Sequence, residues 1–301
     1  MVHTEPLAPP DGARRLVVLC ADDYAMTDGV SRAIEELGRH GRISATSALV
    51  TLPPWQRCAP QLASLRDAMA VGLHLNLTLG VPLAPMPELA PDGQFPTAAK
   101  LAAASLCGAL DRQEIEREIA RQLERFEAGV GHRPDFIDGH QHVHALPGVR
   151  EALIRVLKRR RPQLMPLVRD PGDRLANILR RGGAVTKALT IAGLARGFGT
   201  ALKQAGIPTN DSFAGMTDFR PQEAAKDLAR ALGAGGHLHL IMCHPGFPDE
   251  ELAALDPVTE RRRAEFDVLK EDNPLQPLLW HPHRAADGPP IDWPAEMAAQ
   301  A

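Results

Sequence analysis

The sequence has no excess of charge of either sign. Its 301 residues include 34 Lys and Arg against 37 Asp and Glu, for a formal net charge of −3. Proteins that bind nucleic acid or anionic membranes through charge usually carry a clear basic excess. The overall composition therefore gives no electrostatic argument for either partner, and we expect a small-molecule substrate and no nucleic acid.

Paired cysteines and long apolar runs are also missing. The four cysteines form no C-x-x-C pair, and Cys20 and Cys243 lie in apolar runs typical of buried thiols. No apolar run reaches the length needed to span a membrane, so we expect no transmembrane segment. Residues 1–15 are polar and contain no apolar core of a signal peptide. These features favour a reducing, cytoplasmic location.

The most informative stretch is an apolar run, Leu16–Ala21, that ends in two adjacent carboxylates, Asp22 and Asp23. A continuous apolar run predicts a strand buried on both faces, as in a parallel sheet covered by helices. Aspartate is depleted inside strands, so the pair is expected at the strand's C-terminal end, where α/β enzymes keep their active sites. Taken alone, the pair is more often an acidic turn or a helix cap.

Apolar runs alternate with segments of helical periodicity along the chain. This alternation predicts a single α/β domain built on a parallel sheet or barrel. We expect a flexible tail over 1–15, the α/β barrel over 16–285 and a C-terminal tail over 286–301. Further strands are expected in these ranges: 43–50, 70–77, 134–144, 164–168 and 237–243. Two irregular stretches, about 80–100 and 209–220, are expected to border the mouth of the site.

Polar residues lie at or near the ends of several of these predicted strands. Such side chains would meet at the C-terminal mouth of a barrel. They are Asp22, Asp23, His74, Asp138, His140, His142, His144, Arg169 and His244.

Alternation of the three histidines in 140–144 would place them on one face of an extended chain. A polar loop with surface histidines is the alternative, and His74 alone resembles a hydrogen-bonded core histidine. An Asp with two His from separate strands is typical of a catalytic divalent-metal site. We expect one ion, either Zn²⁺ or Mg²⁺, with Mn²⁺ also open.

A metal beside a second carboxylate predicts metal-assisted hydrolysis, because the ion acidifies a bound water molecule and the carboxylate takes its proton. Adjacent residues of an extended chain point to opposite sides. Asp22 and Asp23 are therefore expected to divide these tasks, with a histidine protonating the leaving amine.

Four motifs in order resemble the YdjC family of carbohydrate deacetylases, which includes chitooligosaccharide deacetylases and a hopanoid-biosynthesis branch. The resemblance covers about 16–270 and implies a distorted TIM-like (β/α) barrel related to polysaccharide deacetylases, with a divalent metal. The motifs are Ala21-Asp22-Asp23-Tyr24, Val71-Gly72-Leu73-His74, Asp138-Gly139-His140-Gln141-His142-Val143-His144 and Met242-Cys243-His244-Pro245-Gly246-Phe247.

By this resemblance, Asp23, His74 and His140 would bind the metal. Asp22 would be the general base, and His244 would protonate the leaving amine. The expected activity is removal of the N-acetyl group from an N-acetylated sugar, such as an N-acetylglucosamine unit in a chitooligosaccharide, another glycan or a glycolipid.

The resemblance also implies roles around the reacting groups. Arg169 would orient a carboxylate or the acetyl oxygen, and Asp138 would orient a metal-bound histidine. His142 belongs to the same group of supporting or substrate-binding residues. Tyr24 and Phe247 are candidates for stacking on a sugar ring, although either could be a core residue.

Two other functions stay open. One is a metal-dependent phosphoesterase on a similar barrel, although such enzymes often carry a His-x-His pair on the first strand. The other is an inactive sugar-binding protein, against which the retention of Asp22, Asp23 and His244 argues. Relatives of the family suggest a homodimer.

Overall fold

The computed structural model describes residues 15–299, and the expectations for residues 1–14, 300 and 301 lie outside this range. Within this range, seven parallel strands form one sheet in the order β5-β4-β3-β2-β1-β7-β6. The strands are β1 (Leu16–Tyr24), β2 (Ala45–Ala48), β3 (Ala70–Leu75), β4 (Phe136–Gly139), β5 (Leu167–Val168), β6 (Ser212–Ala214) and β7 (Leu238–Cys243). The expectation of an α/β fold is confirmed.

Helices follow most strands and cover the sheet. They are α1 (Asp28–Arg39), α2 (Trp55–Ala63), α3 (Ala98–Leu106), α4 (Arg112–Val130), α5 (Val149–Arg160), α6 (Leu175–Arg181), α7 (Val185–Leu194), α8 (Phe198–Gln204), α9 (Ala224–Ala231), α10 (Glu250–Leu255), α11 (Glu260–Glu271) and α12 (Trp293–Ala299). Short 3₁₀ turns cover His140–Ala145, Pro221–Glu223 and Gln276–Leu278.

The sheet curls into a distorted barrel, as expected, that is open between β5 and β6. The segment of chain just before β6, which includes Pro208 and Asn210, spans this opening. The Val168 N–H donates to the Pro208 carbonyl over 2.8 Å. The Asn210 side chain accepts from the Asp170 N–H at 2.8 Å and donates to the Asp170 carbonyl at 2.9 Å. Residues 209–220 were expected to be irregular, but β6 lies within them; a three-residue strand is too short to show periodicity.

All nine residues of β1 are buried, because both faces of this strand are covered. Val17, Leu19 and Ala21 join the core under the helices, whereas Val18 and Cys20 join a second core on the other face. The strand pairs with β7 on one side and β2 on the other. Its central position carries the two carboxylates to the C-terminal edge of the sheet.

The C-terminal segment is packed, which differs from the expected tail over 286–301. The side chain of Trp293 in α12 is buried in the second core, where it packs against Trp280 at 5.1 Å between ring centroids. The indole Nε1 donates to the Asp135 carbonyl over 2.7 Å. One large aromatic side chain holds this segment on the domain. Its packing was not predicted, because the surrounding sequence is rich in proline and shows little periodicity.

Replacing Trp293 tests this packing. Because Trp293→Ala leaves a cavity in the second core, we expect the free energy of unfolding to fall by about 3 kcal/mol, measured by urea denaturation. Leu278→Ala, at an exposed leucine, is the control and should change it by less than about 0.5 kcal/mol. Equal effects of the two variants would show that the C-terminal segment does not stabilise the domain.

Candidate metal and catalytic site

The backbone changes direction where β1 ends. Asp23 and Ala25 have φ angles of +69° and +66°, and the pairing of β1 with β2 shifts register between Ala21 and Tyr24. Aspartate tolerates this left-handed conformation better than most residues. As a result the neighbouring carboxylates of Asp22 and Asp23 enter two different sets of contacts.

Asp23 lies between two histidines. Its Oδ1 is 3.2 Å from His74 Nε2 and 3.0 Å from His140 Nδ1. Asp23 and His74 are buried, whereas His140 is partly exposed. One ligand atom from each of the three residues lies within 4.8 Å of the other two, close enough to share one ion. The structure thus brings together the three residues predicted as metal ligands.

The hydrogen-bond partners of His74 fit a cation at this position. His74 Nδ1 lies 2.7 Å from Asp138 Oδ1, and Ser47 donates to the other oxygen of Asp138 over 2.9 Å. A neutral His74 that donates from Nδ1 directs the lone pair of Nε2 toward the carboxylate of Asp23. Two acceptors face each other only with a proton or a cation between them. A carboxylate behind a metal-bound histidine is a common arrangement.

The charges around His74 favour a positive group. Burial lowers the pKa of His74, but Asp138 and Asp23 outweigh it and raise that pKa to about 10. Burial also acts to raise the pKa of Asp23, yet Arg262 and His140 hold it well below its ordinary value. The pocket therefore stabilises an ionised Asp23 together with positive charge on His74.

Asp22 belongs to a separate buried network. Arg169 donates to both oxygens of Asp22, over 2.7 and 2.6 Å, and its Nη2 also lies 2.5 Å from Asp138 Oδ2. The side chain of Arg169 is 0% exposed. Of the two roles considered for Arg169, this position supports orienting a carboxylate rather than contacting an acetyl oxygen.

A second group, Cys20, Asp22 and Asp138, also brings possible ligand atoms within 4.8 Å. The guanidinium of Arg169 already binds both carboxylates there. Burial raises the pKa of the Cys20 thiol well above its ordinary value, which opposes the thiolate that a metal requires. The Asp23 group is the better metal site.

The three histidines after β4 do not share one face, so the expected extended alternation is wrong. The strand ends at Gly139, and Gln141 and His142 have φ angles of +53° and +60° within a 3₁₀ turn. His142 packs edge-to-face on Phe213, and His144 Nε2 lies 2.8 Å from the Arg169 carbonyl. Only the first histidine of this turn reaches Asp23.

His244 follows β7 and lines the same cleft as Asp22 and Asp23. Its backbone N–H donates to Glu265 over 2.5 Å, and its ring packs edge-to-face against Phe219 at 5.6 Å between centroids. Burial lowers the pKa of His244, while the charges of Asp23 and Asp22 act in the opposite direction.

Arg262 also belongs to the site, although its sequence context did not predict it. This residue lies on α11, a helix with so many charges that it is expected on the surface, yet its side chain is 1% exposed. Arg262 Nη2 donates to Asp23 Oδ2 and to Asp256 Oδ2, each over 2.6 Å. It therefore holds the second oxygen of Asp23 and leaves Oδ1 facing the two imidazoles.

The two aromatic residues proposed for stacking on a sugar do not line the cleft. Tyr24 is buried in the core, and its hydroxyl lies 2.8 Å from the Cys58 carbonyl. Phe247 packs on Phe266 at 4.6 Å. The cleft contains Phe219 instead, with Lys187 Nζ 4.3 Å from its ring centroid. A residue-by-residue motif match cannot show which way an aromatic ring points.

The cleft above the site has a volume of about 630 Å³. The loops expected to border it contribute Thr97 and Ala98 from one side and Met216, Thr217 and Phe219 from the other. This volume falls within the range of about 300–1,000 Å³ typical of small-molecule sites.

Comparison with known proteins agrees with the motifs. Residues 16–278 match the family model described as YdjC-like protein. The chain belongs to the YdjC-like family. A carbohydrate deacetylase of Geobacillus stearothermophilus is 29% identical over 262 residues, covering 85% of this chain and 90% of the relative. A chitooligosaccharide deacetylase of Yersinia pestis (strain Pestoides F) is 29% identical over 238 residues, covering 79% of this chain and 84% of the relative.

A solved structure supports the fold of this YdjC-like protein. It is that of a candidate cellobiose-phosphate cleavage protein from Enterococcus faecalis V583, with a TM-score of 0.65 and 20% identity. The match covers 89% of this chain and 98% of that chain. At this identity the similarity concerns the fold alone.

Two histidines of one turn test the ligand set. His140 faces Asp23, whereas His142 packs on Phe213. We expect His140→Gln to weaken Zn²⁺ binding by more than about a hundredfold, because replacing even a partner that only orients a metal ligand costs about 10–100-fold in affinity. The matched His142→Gln control should bind Zn²⁺ nearly as tightly as the unmodified protein. Isothermal titration calorimetry measures both affinities. A larger loss in the His142 variant would overturn the assignment.

Proposed function

We propose that this protein is a divalent-metal-dependent hydrolase that removes the N-acetyl group from an N-acetylated sugar. The observation that carries the proposal is one cleft containing the Asp23–His74–His140 group, a second carboxylate on Asp22 and an imidazole on His244. The names of the relatives, carbohydrate deacetylase and chitooligosaccharide deacetylase, support the same chemistry.

Asp23, His74 and His140 would hold the ion. When bound, a divalent metal acidifies a water molecule and polarises the acetyl carbonyl. Two imidazoles and one carboxylate favour Zn²⁺, because Mg²⁺ prefers oxygen ligands. Mn²⁺ and Mg²⁺ are the alternatives that metal analysis distinguishes.

Asp22 accepts the proton of the attacking water in this proposal. Arg169 binds both of its oxygens and fixes the orientation of the carboxylate at the floor of the cleft. Because the Asp22 carboxylate is already held in one orientation, little conformational entropy is lost when it takes the proton. A general acid or base positioned in this way contributes about 10²–10⁴-fold to a reaction rate.

His244 donates a proton to the leaving amine. Expulsion of an amine from a tetrahedral intermediate requires its protonation, which an imidazolium can supply. Burial lowers the pKa of His244 although the carboxylates of Asp23 and Asp22 oppose it, and a lowered pKa makes the imidazolium a stronger acid toward the amine. The edge-to-face contact with Phe219 fixes the plane of the ring.

The proposed substrate is an N-acetylglucosamine unit in an oligosaccharide, another glycan or a glycolipid. Apolar side chains of Met216, Ile191 and Leu79 line the cleft beside its polar floor. A sugar ring presents both apolar C–H faces and polar edges, which suits such a lining. The buried thiols of Cys20 and Cys243 are unpaired, in keeping with the proposed cytoplasmic location. The homodimer stays a prediction that a mass measurement in solution tests.

Asp22→Asn tests the division of roles between the two aspartates. The substitution keeps the shape of the side chain but removes the base, so we expect acetate release from N-acetylated chitooligosaccharides to fall by about 10²–10⁴-fold. Bound metal, measured by elemental analysis, should stay at the level of the unmodified protein, because Asp22 is outside the ligand group. Circular dichroism checks that the fold survives the loss of the contact with Arg169.

His244→Gln is the companion variant, and a loss of activity with metal retained is expected there too. Loss of metal in Asp22→Asn together with full activity in His244→Gln would refute these roles. Release of phosphate from phosphate esters, with no release of acetate from N-acetyl sugars, would favour a phosphoesterase instead.

A further inference from the structure

One surface segment has a charge that the whole-chain composition conceals. Residues 174–204, here called the 174–204 surface, contain six basic residues and no Asp or Glu, although acidic residues outnumber basic ones in the chain as a whole. The basic residues are Arg174, Arg180, Arg181, Lys187, Arg196 and Lys203. Arg181 pairs with Asp173 and Lys203 lies 3.7 Å from Asp211, so the exposed Arg174, Arg180 and Arg196 carry most of the surface charge.

The same segment exposes apolar side chains on α6. Ile178 points inward and is buried, whereas Leu175 and Leu179 are 58% and 57% exposed. These two leucines are four residues apart and therefore lie on one face of the helix. Neither packing nor helix formation requires two leucines in contact with water, so this face is suited to a partner.

The next helix, α7, continues the pattern. Among the described residues, none of its ten members is buried, although its sequence is mostly apolar. Lys187 and Ile191 line the cleft, and Val185 and Leu189 lie on the opposite side of the helix. Leu189 is 39% exposed. One face of α7 thus borders the cleft while the other presents apolar side chains outward.

The charge pattern decides between possible partners. A symmetric contact with a second copy would place this basic segment against itself, which like charges oppose. Nucleic acid matches the charge but gives no apolar environment to the leucines. The surface of an anionic lipid bilayer offers both, since Lys and Arg bind headgroups and Leu side chains enter the acyl boundary.

We propose that the 174–204 surface binds anionic phospholipid membranes peripherally, through Leu175, Leu179 and Leu189 flanked by exposed arginines. In this orientation the rim of the cleft formed by α7 lies next to the lipid headgroups. The proposal is independent of the reaction that the cleft catalyses.

The test is co-sedimentation of the full-length protein with vesicles. Vesicles of phosphatidylcholine mixed with phosphatidylglycerol should bind the protein, and vesicles of phosphatidylcholine alone should not. At about 1 M salt, where the Debye length falls to about 3 Å, binding should be lost.

Two surface variants separate the contributions. Arg174→Glu/Arg180→Glu/Arg196→Glu should lower binding by at least about tenfold, because each basic residue near an anionic surface contributes measurably. Leu175→Ser/Leu179→Ser/Leu189→Ser should lower it several-fold by removing the buried apolar area. Arg112→Glu/Arg117→Glu/Arg133→Glu makes the same change of net charge at exposed residues elsewhere and should retain binding. Leu106→Ser/Leu278→Ser, which replaces two exposed leucines elsewhere, is the apolar control for the double variant Leu175→Ser/Leu179→Ser.

Acetate release from a water-soluble N-acetyl sugar should be equal in all these variants, so that failure of membrane binding is distinguishable from failure of the proposed activity. The proposal is overturned if the unmodified protein does not co-sediment with anionic vesicles, or if the surface variants and the control variants bind these vesicles equally well. It is also overturned if the variants instead abolish dimerisation in light scattering, which would make this surface a contact between copies.

Discussion

The structure depends on a group of buried charges at the C-terminal edge of the sheet. Three carboxylates, on Asp22, Asp23 and Asp138, are matched by only two guanidinium groups, on Arg169 and Arg262. Burial of unbalanced charge is costly, so the group needs a further positive charge, which a protonated His74, with its pKa raised to about 10, carries when no ion is bound. A divalent cation at the Asp23 carboxylate would supply it. The same charges give the two aspartates different surroundings, since one is held by Arg169 and the other faces two imidazoles.

Strand positions made much of this site predictable. Apolar runs located β1, β3 and β7, and a residue at or just after the end of a buried parallel strand reaches the edge where the other strands also end. Asp23, His74 and His140 could therefore be expected at one edge although 117 residues separate the first from the last, and the resemblance to the YdjC family selected them as metal ligands. The direction of side chains within turns was not predictable, because Gly139 ends β4 and the following residues adopt left-handed conformations.

Contacts that depend on tertiary structure alone could not be predicted from the sequence. Arg262 lies in a run of charged residues that predicts a solvated helix, and only the position of α11 beside β1 buries it. Trp293 lies in a proline-rich stretch whose packing depends on the second core. The net charge of the whole chain did not reveal the 174–204 surface, because acidic residues elsewhere among the 301 residues cancel its local basic excess. Charge is informative about partners when it is read along the folded surface.

Anomalous diffraction from crystals of the full-length protein loaded with Zn²⁺ tests the central claim most directly. The account predicts one peak, recorded at the zinc absorption edge, within bonding distance of Asp23 Oδ1, His74 Nε2 and a ring nitrogen of His140. A peak at Cys20, Asp22 and Asp138, or zinc bound only elsewhere on the protein, would contradict it.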